Sequence, residues 1–103
     1  MRDLKISKEL LEKVLERNIV SFTIHTGFIF IQEKSISHNL NTYEFAFKCK
    51  EWAFKNGFNI FSSCKSFSVF QNGVLICSSY GENNEIEAII NACESILEQI
   101  KCN

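Results

Sequence analysis

Residues 41–101 read NTYEFAFKCKEWAFKNGFNIFSSCKSFSVFQNGVLICSSYGENNEIEAIINACESILEQIK, and this stretch decides the fold. It begins with a pattern typical of a helix over residues 41–55, which ends at Asn56-Gly57. Three short β-rich runs follow, at residues 58–63, 66–71 and 74–79. Asn72-Gly73 joins the last two runs and is a strong hairpin signal, because both residues tolerate a positive φ. The stretch therefore predicts α-β-β-β followed by a closing helix.

That closing helix, predicted over residues 84–101, is the most regular element of the chain. Its apolar side chains recur every three or four residues, within an arc of about 120° on a helical wheel. They are Ile86, Ile89, Ile90, Cys93, Ile96, Leu97 and Ile100. Glu85 and Glu87 in the first turn and Lys101 in the last suit the helix dipole.

The residues before 41 predict a further helix and a hairpin. Ser7 can cap a helix over residues 8–17, and alternating apolar and polar residues predict strands at 20–24 and 28–32. Residues 33–39 are mostly polar and predict a connecting loop. The chain is thus expected to be one α+β domain over residues 1–103, with the order α-β-β-α-β-β-β-α in two parts, 8–32 and 41–101. We expect a largely antiparallel sheet with the helices on one face, or alternatively two unequal sheets with the first hairpin apart.

Composition and charge exclude several classes of protein. The chain has 103 residues, of which 46% are hydrophobic and 22% charged, as in ordinary globular domains. Ten phenylalanines are many for this length, and their rings must form a core or an interface. The net charge of −1 gives no general attraction to nucleic acid or to anionic lipid.

Location and cofactors follow from what the sequence lacks. Charged residues recur between Arg2 and Glu9, so no signal peptide is expected there, and the apolar-rich run at residues 19–31 is too short to span a bilayer. The five cysteines are odd in number and include no C-x-x-C pair, which argues against a disulfide framework or a zinc knuckle. We therefore expect a soluble cytoplasmic protein with free thiols, no cofactor and no membrane contact.

The helix at residues 41–55 is apolar over most of its circumference. Its one charged stripe contains Glu44, Lys48, Glu51 and Lys55, which can form ion pairs at i,i+4. Tyr43, Ala46, Phe47, Ala53 and Phe54 lie on one side of the remainder, and Phe45, Cys49 and Trp52 lie on the adjoining side. Such a helix is expected to be central in the fold.

The flank formed by Phe45, Cys49 and Trp52 has more apolar surface than packing against one sheet face requires. We therefore expect these three residues to bind a partner, either a second copy in a homodimer or another protein. The alternative is that the first helix and hairpin cover this flank and leave a monomer.

The order α-β-β-β-α and the local sequence FSVFQNG at residues 67–73 resemble the double-stranded RNA-binding domain, over residues 41–101. The resemblance implies a lysine cluster at the start of the last helix and a Gly-Pro-x-His loop for the minor groove. Here those places read NNEIEA at residues 83–88 and SSCKS at residues 62–66. The stretch also has five Lys against seven Glu, whereas binding to a duplex needs a basic face. Nucleic-acid binding is therefore an alternative function and not the one that we expect.

Catalytic and metal-binding patterns are absent from the sequence. His25 falls in a turn and His38 in a polar segment, and no H-x-x-x-H, G-x-S-x-G or phosphate-binding glycine loop occurs. A cysteine-dependent enzyme is an alternative if Lys65 lowers the pKa of Cys64, but Cys64 is as well explained as a loop residue. A metal site formed by His25, His38 and a cysteine has no supporting ligand spacing. We expect no catalytic and no metal-binding residue.

Residues 43–53, YEFAFKCKEWA, followed by Asn56-Gly57-Phe58, resemble a pattern in small uncharacterised proteins of bacteria and phages. In those proteins a helix Y-E-x-A-x-K-C-K-E-W-A precedes a strand, and residues 85–93 resemble the E-A-I-x-x-A-C helix that often closes them. The resemblance carries no activity and implies only a bacterial or phage-related origin. The expected function is a non-enzymatic module for protein interaction or assembly.

Overall fold

The computed structural model describes residues 4–102, so Arg2 and Asp3, part of the charged N-terminal segment, lie outside it together with Met1 and Asn103. The helices are α1 (Lys8–Leu15), α2 (Thr42–Lys55) and α3 (Glu85–Lys101). The strands are β1 (Ser21–His25), β2 (Phe28–Gln32), β3 (Ser37–Asn41), β4 (Phe58–Ser62), β5 (Ser66–Gln71) and β6 (Val74–Tyr80). The α+β class and the order of the predicted elements are confirmed, with one additional strand.

The additional strand is β3, so the prediction of a loop over residues 33–39 is wrong in its second half. Leu40 of β3 lies opposite Ile29 of β2, and His38 lies opposite Ile31. Serine, histidine and asparagine have weak strand propensity, and pairing with β2 decides the conformation instead. Sequence patterns fail at such positions because the deciding contact is with another strand.

Within residues 4–102 the six strands form two antiparallel sheets, β1-β2-β3 and β4-β5-β6, rather than one. This is the arrangement in which the first hairpin lies apart, but the two sheets are equal, with three strands each. The predicted tight turn between β5 and β6 is present, with φ of 53° at Asn72 and 78° at Gly73. These positive values are why the turn needs asparagine and glycine.

Each helix begins at a polar capping residue. The side chain of Ser7 accepts a hydrogen bond from Leu10 N, as predicted, at 3.1 Å. The side chains of Asn41 and Asn84 do the same for α2 and α3. Helix α1 stops at Leu15, earlier than predicted, because Glu16 takes the left-handed conformation with φ 55°.

Helix α2 is central, as its sequence predicts. It contacts α1, α3, β3 and β4, while α3 packs across β4 and β5. Side chains from all these layers form one hydrophobic core, which includes Leu11, Ile29, Phe45, Val69 and Ile90. The two sheets cover two sides of this core, and α1 covers a further side, where it packs against α2 and α3.

Polar contacts fix α1 on α3. Ser7 donates from its backbone N to Glu94 Oε2 at 2.6 Å and from its hydroxyl to Glu94 Oε1 at 2.7 Å. Lys101 Nζ lies 3.0 Å from Glu9 Oε1. Because Ser7 also caps α1, one residue sets both the start of this helix and its position on the domain.

Candidate functional site

The side chains expected to bind a partner are placed mainly in the core. Phe45 and Cys49 have 0% exposure, and Trp52 is partly buried. Trp52 lines a groove of about 390 Å³ together with Val14 and Leu15 of α1. The flank of α2 formed by Phe45, Cys49 and Trp52 is therefore covered within the chain, and α1 forms part of that cover.

The uncovered flank of α2 is the other one. Tyr43, Phe47 and Phe54 are 74%, 67% and 72% exposed, although each is a large aromatic side chain. At 100° per residue they lie within an arc of about 40°, so they form one row along the helix. We call these three residues the aromatic stripe.

Two pairs of aromatic rings elsewhere on the surface partly cover one another. Phe28 and Phe30 on β2 have ring centroids 6.4 Å apart, and Phe61 and Phe70 make an edge-to-face contact at 5.4 Å. Within residues 4–102, no ring of the aromatic stripe makes such a contact. Tyr80 on β6 is also exposed and without a ring contact in this range, but it stands alone, whereas the stripe places three such rings in one row.

A groove of about 480 Å³ lies beside the aromatic stripe, between α2 and α3. Tyr43 and Phe47 form one of its walls, and Ile86 and Ile89 of α3 line the other. Ala46, which is buried between them, lets the two helices approach closely. Lys50, Asn84 and Glu85 complete the lining, so the apolar surface that continues from the stripe onto α3 is interrupted by charged and polar side chains.

The other side of the stripe is charged. Glu44, Lys48, Glu51 and Lys55 are all exposed and line the groove at Trp52. The predicted i,i+4 ion pairs do not form, because no salt bridge of the described residues joins any two of these four side chains. Their charges therefore face solvent without an ionic partner in this part of the chain.

Two of the five cysteines are buried, two are exposed, and Cys77 is intermediate. Cys49 and Cys93 are both buried, and Cys93 Sγ donates to Cys49 O at 3.4 Å. Burial raises the pKa of the Cys49 thiol far above its ordinary value, so it stays protonated at neutral pH. Burial also raises the pKa of Cys77, against a hydrogen bond from Ser95 that lowers it. Cys64 is exposed in the β4–β5 turn, and no described histidine or carboxylate hydrogen-bonds to it.

Thiol labelling of the native protein at neutral pH is expected to divide the cysteines in the same way. Cys64 and Cys102 should react at the rate of a peptide thiol, and Cys49 and Cys93 more than about a thousandfold slower, because only unfolding exposes them. Mass spectrometry of timed samples gives the rates, with Cys64→Ser as the control that removes one fast site. Fast labelling of Cys49 would contradict its buried position, and unusually fast labelling of Cys64 would support the cysteine-enzyme alternative.

The two histidines lie apart from any catalytic arrangement. His38 Nε2 is 2.8 Å from Glu33 Oε2, which also accepts from Arg17 Nη1 at 3.1 Å. His25 ends β1 at the surface. Among residues 4–102 no group of three or more histidine, cysteine or acidic side chains is arranged to hold a metal ion.

The start of α3, where the RNA-binding resemblance would require lysines, carries carboxylates that are already hydrogen-bonded. Glu85 Oε2 accepts from Ser62 Oγ at 2.8 Å, and Glu87 accepts from Asn83 N at 3.2 Å. Negative charge at this point repels phosphate groups. The local geometry gives a duplex no basic surface at this helix end.

No protein-family model, no curated protein and no solved structure matches this chain significantly. Separately, no helix within residues 4–102 is both long enough and apolar enough to cross a membrane. The function is therefore inferred from the surface features described above.

Proposed function

We propose that this chain is a non-enzymatic protein-interaction module whose contact surface is the aromatic stripe of α2. The observation that supports it is the exposure of Tyr43, Phe47 and Phe54, each more than two-thirds open to solvent. Aromatic side chains dominate the energetics of protein interfaces, and they act best where charged residues form a rim around them. Glu44, Lys48, Glu51 and Lys55 supply such a rim on one side.

The exposed area is large enough to matter for affinity. A fully buried aromatic residue removes about 150–250 Å² from water, so about 100–150 Å² of each ring in the stripe is still available. At about 25 cal/mol per Å², covering one ring contributes about 3 kcal/mol before the costs of association. Three such rings in one row can therefore act as the centre of an interface.

The stripe also lies on a well-supported element. Helix α2 contacts both other helices and both sheets, and Phe45, Cys49 and Ala53 hold its opposite side in the core. A partner would therefore meet a helix that is already ordered, which lowers the entropy cost of binding. This favours the stripe over the loop regions as the contact surface.

Photo-cross-linking tests this proposal. Benzoylphenylalanine at position 47, in cells that make the chain at its native level, is expected to give a discrete covalent adduct with the partner. The matched control is position 61, because Phe61 is 63% exposed but lies on β4 and away from the stripe. The adduct is identified by mass spectrometry, and the partner is then purified.

Binding is then measured with purified components. Phe47→Ala and Phe54→Ala are each expected to weaken the affinity by about tenfold or more, as for central interface residues, whereas Phe61→Ala leaves it within about twofold. If position 47 gives no adduct, or if both stripe variants bind as tightly as the original chain, the aromatic stripe is not the contact surface.

A further inference from the structure

We infer that the occupant of the aromatic stripe is α2 of a second copy of this chain, lying antiparallel to the first. This inference rests on the proposed function and names its partner. Tyr43, Phe47, Lys50 and Phe54 are separated by four, three and four residues. That spacing is the one by which two helices pack side by side, so the row fits a helix better than it fits an extended peptide, and Lys50 is the one charged residue in it.

The two flanks of the seam decide the direction of the second helix. One flank carries the charged residues Glu44, Lys48, Glu51 and Lys55, and the other is the wall of α3 with Ile86 and Ile89. A twofold axis that makes the helices antiparallel brings charged flank against charged flank and α3 wall against α3 wall. An axis that makes them parallel places each charged flank on the partner's α3 wall, where the four charges meet two charged side chains, Lys50 and Glu85, instead of four opposite charges.

The order of charges fits the antiparallel arrangement. Acidic and basic residues alternate along the charged flank. A second helix that runs in the opposite direction therefore presents a basic residue where the first presents an acidic one, and the reverse. In the register that sets Glu44 level with the partner's Lys55, Lys48 is level with the partner's Glu51. These four charges thereby gain an opposite charge across the interface, and none of them has an ionic partner among the described residues of its own chain. The same register brings Lys50 beside its own copy at the twofold axis, a like-charge contact that weakens the dimer.

The area predicts a weak dimer. The three rings contribute about 400 Å² from each copy, and the groove wall brings the total for the pair to about 1,000–1,200 Å². This is the lower limit for specific interfaces, the size at which weak and transient complexes are found. The dimer should therefore form and dissociate with concentration.

Sedimentation velocity of the purified chain between about 1 µM and about 1 mM tests the inference, since this range brackets a micromolar dissociation constant. A species of twice the 11.9 kDa chain mass is expected to grow with concentration. Phe47→Ala should raise the dissociation constant by about tenfold or more without a change in circular dichroism, because its side chain is exposed. Phe61→Ala, of similar exposure but on β4, should leave the constant unchanged.

The direction of the helices has its own test. Glu44→Lys sets lysine against the partner's Lys55 twice per dimer and is expected to weaken it about tenfold, while Glu44→Lys with Lys55→Glu restores the affinity. In a Cys64→Ser/Cys102→Ser background, Glu44→Cys with Lys55→Cys should form an intermolecular disulfide. The two positions are about 16 Å apart on one helix, so no bond can form within a chain. Tyr43→Cys should cross-link only in a parallel pair.

Each outcome separates this inference from the proposed function. A chain that stays monomeric throughout the range, together with an adduct from position 47 to a different protein, overturns the self-association and leaves the interaction module standing. A dimer that Phe47→Ala does not weaken overturns the inference, because the contact then lies elsewhere. A Tyr43→Cys disulfide without the 44–55 disulfide overturns the antiparallel arrangement.

Discussion

Phe45→Ala is expected to lower the free energy of unfolding by about 3–5 kcal/mol, the range for removing a buried aromatic ring. Phe45 is fully buried and is among the largest fully buried side chains of the described core. Truncation leaves a cavity that its neighbours can refill only in part, since α2 is fixed by helices and sheets around it. A domain of this size has a total stability of about 5–15 kcal/mol, so the variant loses a large share of it.

Phe47→Ala is the matched control, because it makes the same chemical change two residues further along α2. Its side chain is exposed, so the free energy of unfolding should change by no more than about 0.5 kcal/mol. Both variants are unfolded in urea at about 1 µM chain, where self-association adds little to the apparent stability. Equal effects of the two substitutions would contradict the distinction between a buried and an exposed flank of α2, and a larger effect of Phe47→Ala would mean that the two flanks are assigned the wrong way round.

The starts of the helices and the turn between β5 and β6 could be read from the sequence because local chemistry sets them. Ser7, Asn41 and Asn84 cap the three helices with their own side chains, and Asn72-Gly73 allows the positive φ values of one tight turn. These interactions span four residues or fewer, so no knowledge of the tertiary structure is needed to predict them. Strand β3 was missed for the opposite reason, since its pairing with β2 is the contact that defines it.

The exposed side of α2 could not be read in the same way. Phe45 and Phe47 are the same residue type on a helix that is apolar almost all round, and only the neighbours decide which is covered. One signal was available in residue size, because Ala46 and Ala53 are buried and mark the side where α2 is closely packed. The aromatic stripe lies between these alanines and the charged stripe, a position typical of a partly solvated edge.

Leu11→Ala is expected to lower the free energy of unfolding by about 2–5 kcal/mol and to loosen α1 from the domain. Leu11 has 0% exposure, and a helix of eight residues is too short to be stable by itself. Helix α1 therefore depends on its buried leucines and on the hydrogen bonds between Ser7 and Glu94. Removing one leucine weakens the cover that α1 provides for α2.

Trp52 reports this change directly, because it is the chain's one tryptophan and lines a groove with Val14 and Leu15 of α1. In Leu11→Ala its fluorescence should shift to the red at urea concentrations where the circular dichroism of α2 and α3 is still intact. Lys13→Ala changes an exposed residue of the same helix. Its free energy of unfolding should stay within about 0.5 kcal/mol of the original chain, and its fluorescence and circular-dichroism transitions should coincide. The opposite result for Leu11→Ala would be coincident fluorescence and circular-dichroism transitions and a free energy of unfolding lowered by less than about 1 kcal/mol. That result would show that α1 is not what shields α2, because removing a buried leucine from that contact should cost more.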